Sequence, residues 1–160
     1  MWSILGKYLW VFLISMVPII ELRGALPIAI GMGLPAIPSI LVAVVGNLAP
    51  VPIIYFFARK FLEWGSTKPV IGKICAFFVR KGEKASKKLN TSAGKKGMFI
   101  ALMLFVGIPL PGTGAWTGTL AASFLNLDAK TTAAAVSCGV LLAGVLMTVL
   151  SVTGVHMFGI

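Results

Sequence analysis

The sequence predicts an all-α integral membrane protein built from two inverted repeats, each a re-entrant helical hairpin plus one full transmembrane helix. Three observations predict it. Of 160 residues, 58% are hydrophobic and 11% charged, against about 25% charged in a soluble domain, and the mean hydropathy is +1.00. Eleven of the 14 basic residues, with two of the four acids, fall between positions 59 and 97. Proline and glycine also cut the apolar blocks into pieces, several of them too short to cross a bilayer. Eighteen charged side chains cannot cover so apolar a soluble fold, which excludes a soluble enzyme.

Residues 1–58 form the first repeat of a single membrane domain, 1–160. The first 20 residues read either as a complete span or as the first arm of a hairpin that turns between Pro18 and Gly24. No small-x-small cleavage site follows them and their only charge is Lys7, so a cleaved leader is not expected. The 34 residues of 25–58 cannot make two crossings of about 20 residues each. Gly31, Gly33, Pro35 and Pro38 divide them into a short arm near 25–33 and a full helix near 37–58. That helix should kink at Gly46, Asn47, Pro50 and Pro52.

The basic stretch 59–97 has a net charge of +9. In a soluble chain it would suggest nucleic acid. Between apolar blocks it reads as a cytoplasmic loop facing anionic lipid, with no nucleic-acid partner. Within it Val70, Ile71, Ile74, Phe77 and Phe78 share one helical face, and Lys73, Arg80, Lys84 and Lys87 the other. This is the pattern of a helix lying in the membrane interface.

Residues 98–160 form the second repeat. Pro109, Pro111, Gly112 and Gly114 separate arms near 98–108 and 114–125, and a full helix follows near 127–148. Each arm reaches only about halfway across the bilayer. Ala135, Gly139 and Ala143 make a small-residue packing seam, within the chain or between protomers. Sliding the sequence by 90 positions lays Gly24-Ala25 over Gly114-Ala115 and helix 37–58 over 127–148. A unit of one hairpin and one crossing ends on the opposite face from its start, so the second unit is inverted. With the basic loop inside, both termini lie outside.

Two motifs carry chemistry. In Glu21-Leu22-Arg23-Gly24-Ala25-Leu26-Pro27, two ionisable groups sit between apolar stretches, where burying each costs at least about 2.5–3.5 kcal/mol unless it is paired or hydrated. If residues 1–20 are a half-length arm, both lie at membrane depth; if they span fully, both form a surface loop. At depth, Arg23 is a forked cation suited to phosphate or carboxylate, beside the N-terminus of an arm beginning near Ala25. Glu21 is then the natural proton carrier. The second motif is Pro109-Leu110-Pro111-Gly112-Thr113-Gly114-Ala115-Trp116-Thr117-Gly118. Its glycines let backbone N–H groups approach a ligand or a neighbouring helix, and Trp116 offers a flat apolar wall. Pro18, Pro27, Pro109 and Pro111 are the expected hairpin breaks. Asn47 either lines a cavity or bonds a neighbouring backbone.

Cys75 and Cys138 give no disulfide framework, and with His156 alone they match no metal spacing. No residue set supports hydrolysis or redox chemistry, so neither an enzyme nor a cofactor is expected.

Together the two motifs resemble the prokaryotic small multidrug export family, and the resemblance covers nearly the whole chain. The hairpin-plus-helix repeat is also similar to the wider DedA/VTT group of membrane proteins. That resemblance implies flipping of phospholipids or polyprenyl-phosphate carriers, and proton-dependent drug tolerance. It points to Glu21, Arg23, Gly24 and Pro27, and to Pro109, Pro111, Gly112, Thr113, Gly114 and Trp116. Where DedA proteins carry a further arginine in the second hairpin, this chain has Thr113.

The leading expectation is a lipid flippase-like transporter of an anionic amphiphile, such as a lipid or polyprenyl phosphate. Arg23, Gly24, Asn47, Gly112, Thr113, Gly114 and Trp116 would bind the substrate, and Glu21 would couple protons. The alternatives are a proton-coupled exporter of lipophilic cations centred on Glu21, and a non-transporting assembly factor recruiting a partner through the basic loop. Expected partners are membrane lipids, the small amphiphilic substrate and a second copy of the chain, since one copy barely encloses a cavity. The expected location is the prokaryotic cytoplasmic membrane.

Overall fold

In the computed structural model, which describes residues 3–92, 94–110 and 112–158, the described elements are all helices. The first, α1 (Ile4–Met16), starts where the Ser3 hydroxyl accepts the Gly6 N–H at 3.2 Å. At 1.5 Å per residue its 13 residues extend about 20 Å, short of the roughly 30 Å of a bilayer core. It is a short apolar helix, below the length of a complete span. A turn at 17–20 containing Pro18 leads into α2 (Glu21–Gly31).

The start of α2 corrects two expectations. The helix begins at Glu21, four positions before Ala25, so both charges of the first motif belong to its first turn. Pro27 consequently lies inside α2 and is not a break. It removes the N–H that would reach the Arg23 carbonyl, which bends a helix without ending it.

Next come α3 (Ala36–Leu48) and α4 (Val51–Ser66), parts of one 31-residue apolar stretch interrupted at Ala49-Pro50. Pro50 and Pro52 take away the donors for the carbonyls of Gly46 and Leu48, which is why the break falls there. The helix runs eight residues past position 58, through Arg59, Lys60 and Glu63. Charges mark where a helix leaves an apolar medium; they do not stop it, and Arg59 and Glu63 form an exposed i,i+4 pair at 3.4 Å.

The basic segment continues as α5 (Gly72–Ser92). Ile74 and Phe77 are exposed on it, Val70 and Ile71 precede it, and the Phe78 side chain lies outside the described ones. The second hairpin is α6 (Gly94–Gly107) and α7 (Ala115–Phe124), followed by α8 (Ala129–Phe158). Asp128 caps α8, accepting the Thr131 N–H at 2.9 Å. The stretches 36–66 and 129–154 are each long and apolar enough to cross a membrane.

Packing follows one scheme twice. The first arm α1 crosses α3 at Gly46, where a Cβ would fall 2.6 Å from the Phe12 carbonyl oxygen. The arm α6 crosses α8 at Gly139, where a Cβ would fall 2.7 Å from the Met103 carbonyl oxygen. Met32, Gly33 and Leu34 donate to the carbonyls of Ile28, Ile30 and Ala29; Leu125, Asn126 and Leu127 donate to Ala121, Ser123 and Ala122, each 93 positions on. Both are Schellman-type ends with Gly33 at φ 74° and Asn126 at φ 56°. The clefts between paired arms match as well: Trp10, Ile14, Ile28 and Met32 line one, and Ala101, Phe105, Ala121 and Leu125 the other.

The register is therefore 93 for the second arm and the long helix, and 91 for the first arm, in place of the expected 90. Position 24 corresponds to Thr117, not Gly114; the shared Gly-Ala letters suggested a register that the helix ends do not keep. The connection 108–114 is longer than 17–20, which separates the two offsets.

The two long helices run antiparallel. The Tyr55 hydroxyl donates to the Leu127 carbonyl at one end, and Gly144 faces Ile40 and Val44 at the other. The core combines alanines, among them Ala25, Ala29, Ala43, Ala122, Ala135 and Ala143, with larger side chains such as Leu22, Leu26, Val106, Val136 and Val140. Large apolar side chains such as Leu5, Ile37, Ile53 and Phe57 point outward. A water-soluble fold would bury them; lipid accepts them, and close helix contact then depends on small residues. The Ala135, Gly139 and Ala143 seam is covered by this chain's own packing, with Gly139 against Met103 and Val106 of α6.

Candidate functional site

The tips of the two hairpins meet, and the two sequence motifs are the surfaces that touch. Glu21 is 5% exposed. Its Oε1 accepts the backbone N–H of Trp116 at 3.1 Å, and the N–H of Ala115 also faces the carboxylate. A carboxylate thus sits on the N-terminus of α7, where the free N–H groups and the helix dipole favour negative charge. Room for it exists because position 114 is glycine. Gly114 has φ 154° and ψ −172°, a region that only glycine enters readily, and any Cβ there would overlap the Glu21 carboxylate.

Arg23 performs the reverse task on the other arm. Its Nη2 donates to the carbonyls of Val106 at 3.2 Å and Ile108 at 3.0 Å, and to Thr113 Oγ1 at 2.8 Å. Its Nη1 donates to the Leu110 carbonyl. The Val106 carbonyl lies at the C-terminus of α6, the end of a helix that favours a cation. The Ile108 and Leu110 carbonyls, which also accept the N–H groups of Leu110 and Thr113, lie in the connection after it. Glu21 and Arg23 thus bridge outward to the second hairpin, one to each arm.

The indole of Trp116 closes the junction by donating from Nε1 to the Met16 carbonyl at 3.1 Å, the last residue of α1. The approach to Glu21 is tight. Ile19 at φ 80° and Glu21 at φ 50° both take left-handed backbone conformations, which for non-glycine residues cost about 1–3 kcal/mol each. That strain aims the Glu21 side chain at α7.

Residues 21–146, which begin at the first charge of this junction and contain both motifs, match the family described as "Putative small multi-drug export protein". The chain belongs to that family. No curated protein and no solved structure gives a match. An export family and two apolar helices fit a membrane protein that moves small molecules.

Within this family member, the structure gathers Glu21, Arg23, Thr113, Gly114 and Trp116 into one cluster. Gly24 packs its backbone against Ile20, leaving 2.5 Å between a would-be Cβ and Ile20 Cγ2. Gly112 is exposed, at φ 80° with open space beside it. Asn47 is buried two residues before the break in the long helix, with Oδ1 unpaired. Pro18 and Pro109 lie in the two connections, and Pro111 lies outside the described residues.

Sequence reasoning missed Tyr55. Its hydroxyl and carbonyl join α4 to Leu127 and Ser123, tying the α7–α8 corner to the long helix. A phenol in an otherwise apolar segment was the available signal. It also missed the main feature of the junction, since it read Arg23 and the α7 N-terminus as free to receive an anion.

Proposed function

We propose that the chain is a multi-pass transporter of two inverted repeats that exports lipophilic cations in exchange for protons, with Glu21 carrying the proton. The observation that carries this reading is the mutual satisfaction of the hairpin junction. An anionic headgroup would need the Arg23 guanidinium and the α7 N-terminus. The guanidinium is spent on three carbonyls and Thr113, and the N-terminus already holds the Glu21 carboxylate. The cation reading asks only for a buried acid, and Glu21 supplies it.

Coupling has a direct physical basis in this geometry. A proton on Glu21 removes the charge that favours the α7 N-terminus and weakens a charge-assisted hydrogen bond, loosening one of the two bridges between the hairpins. Arg23 keeps the other bridge, so the tips separate on one side without coming apart.

The repeated packing of α1–α2–α3 and α6–α7–α8, with antiparallel long helices, supports the inverted arrangement. The short arms are then re-entrant, with their tips near the midplane. Loop 59–97 faces the cytoplasm by its charge, and both termini face the other side of a prokaryotic cytoplasmic membrane. A homodimer would use the outer faces of the hairpins, because the 135–143 seam is occupied within the chain. The role is transport, without catalysis or a cofactor.

Reconstituted vesicles with an imposed pH gradient test this. Ethidium should move against the proton flow with wild-type protein and stop with Glu21→Gln. Protein-dependent flipping of a fluorescent polyprenyl phosphate, with no ethidium movement, would overturn the reading in favour of the anion.

A further inference from the structure

Beside Trp116, α4, α5 and α7 border an apolar cavity of about 410 Å³ that is open on one side, where Phe57, Phe61 and Ile74 are exposed. Its walls include Phe57, Phe61, Ile74, Trp116, Leu120 and Phe124, and none of the described residues lining it is charged. That volume and lining fall in the range of small-molecule sites. A phosphate or a hydrated ammonium would find nothing there to replace its water. Four aromatic rings suit a compound that is itself aromatic, and ring faces attract a delocalised positive charge.

We propose that this cavity binds the aromatic body of the exported compound, and that Trp116 links its occupancy to the proton site. Trp116 belongs to both places. Its ring forms part of the cavity wall, its backbone N–H holds Glu21 at 3.1 Å, and its Nε1 holds the Met16 carbonyl at 3.1 Å. A ligand that shifts the indole therefore disturbs both bonds. By linkage, a proton on Glu21 changes the affinity of the cavity by the same factor as the ligand changes the affinity for the proton. The clefts between the paired arms have no such tie, since their linings contain neither Trp116 nor Glu21. The cationic character of the occupant rests on the export reading; the position of the site does not.

Tetraphenylphosphonium is the probe. Equilibrium dialysis of the labelled cation against the purified protein reports binding, and wild type should bind it saturably. Leu120→Trp and Ala58→Phe, which fill the cavity from α7 and α4, should each lower the affinity at least fivefold while melting like the parent protein. Glu21→Gln should remove the pH dependence of the affinity. Equal binding in both filled variants would mean simple partition into detergent or lipid and would overturn the proposal.

The two readings fail separately. Binding lost on filling, with no proton-driven ethidium movement in wild type, keeps the cavity and removes the export reading. Export that survives Leu120→Trp and Ala58→Phe keeps export and removes the cavity.

Discussion

Replacing Arg23 separates a clamp from a ligand-binding cation. The guanidinium makes four hydrogen bonds to the end of α6 and the connection after it. Those to Val106 and Thr113 are partly buried, and a hydrogen bond to a charged group contributes about 1.5–3 kcal/mol. Those to Ile108 and Leu110 are exposed and count for about 0.5 kcal/mol each after screening. Taking the lower figures because the four share one donor group, Arg23→Ala should destabilise the protein by about 3–4 kcal/mol. Arg23→Lys should recover about half, because an ammonium offers three donors from one point and cannot fork across four acceptors. Equilibrium unfolding in mixed micelles with increasing SDS, followed by tryptophan fluorescence, measures both. A double-mutant cycle with Thr113→Val should return a coupling of about 1 kcal/mol. If Arg23→Ala unfolds within about 0.5 kcal/mol of wild type while losing transport, the guanidinium faces a ligand and the clamp argument fails.

Three further outcomes follow from the same geometry. Glu21→Gln keeps the shape of the carboxylate but not its charge, so unfolding should show a loss of about 1–2 kcal/mol, alongside the loss of ethidium exchange. Gly114→Ala places a Cβ on the Glu21 carboxylate in a conformation reserved for glycine and should cost roughly 3 kcal/mol or more, whereas Gly112→Ala, with open space at φ 80°, should cost about 1 kcal/mol; the same unfolding assay ranks them. Asp128→Ala removes the cap of α8 and should cost about 1 kcal/mol at pH 7. The Thr131 N–H holds the Asp128 carboxyl below its ordinary range, so this contribution is complete above the unfolded value near 3.9 and fades as pH falls through the folded one. The difference between Asp128→Ala and wild type should therefore shrink when unfolding is repeated in strong acid.

Much of the architecture was legible because it depends on local rules. Apolar length, proline and glycine position, and clustered lysines are enough to locate two pairs of short helices, two long helices and a basic connection. Where local reading failed, a neighbouring segment had decided the matter. Glu21 and Arg23 looked like the loop before a helix because charges rarely open an apolar segment. They begin α2 because the second hairpin supplies a partner for each charge. Arg23 lies at the unfavourable end of its own helix dipole and is compensated by the C-terminus of α6, which is distant in sequence.

The repeat shows the same division. Composition suggests two similar units, but their offset is set by where helix ends satisfy their backbone groups, and Gly33 and Asn126 fix that at 93. The sequence by itself determined what kind of chain this is: apolar, helical, asymmetric in charge, and marked by two motifs. Only the tertiary structure decided what the motifs do to each other. Hydrophobic periodicity and proline act within a few residues, whereas a buried charge is settled by whichever backbone group the fold brings within about 3 Å.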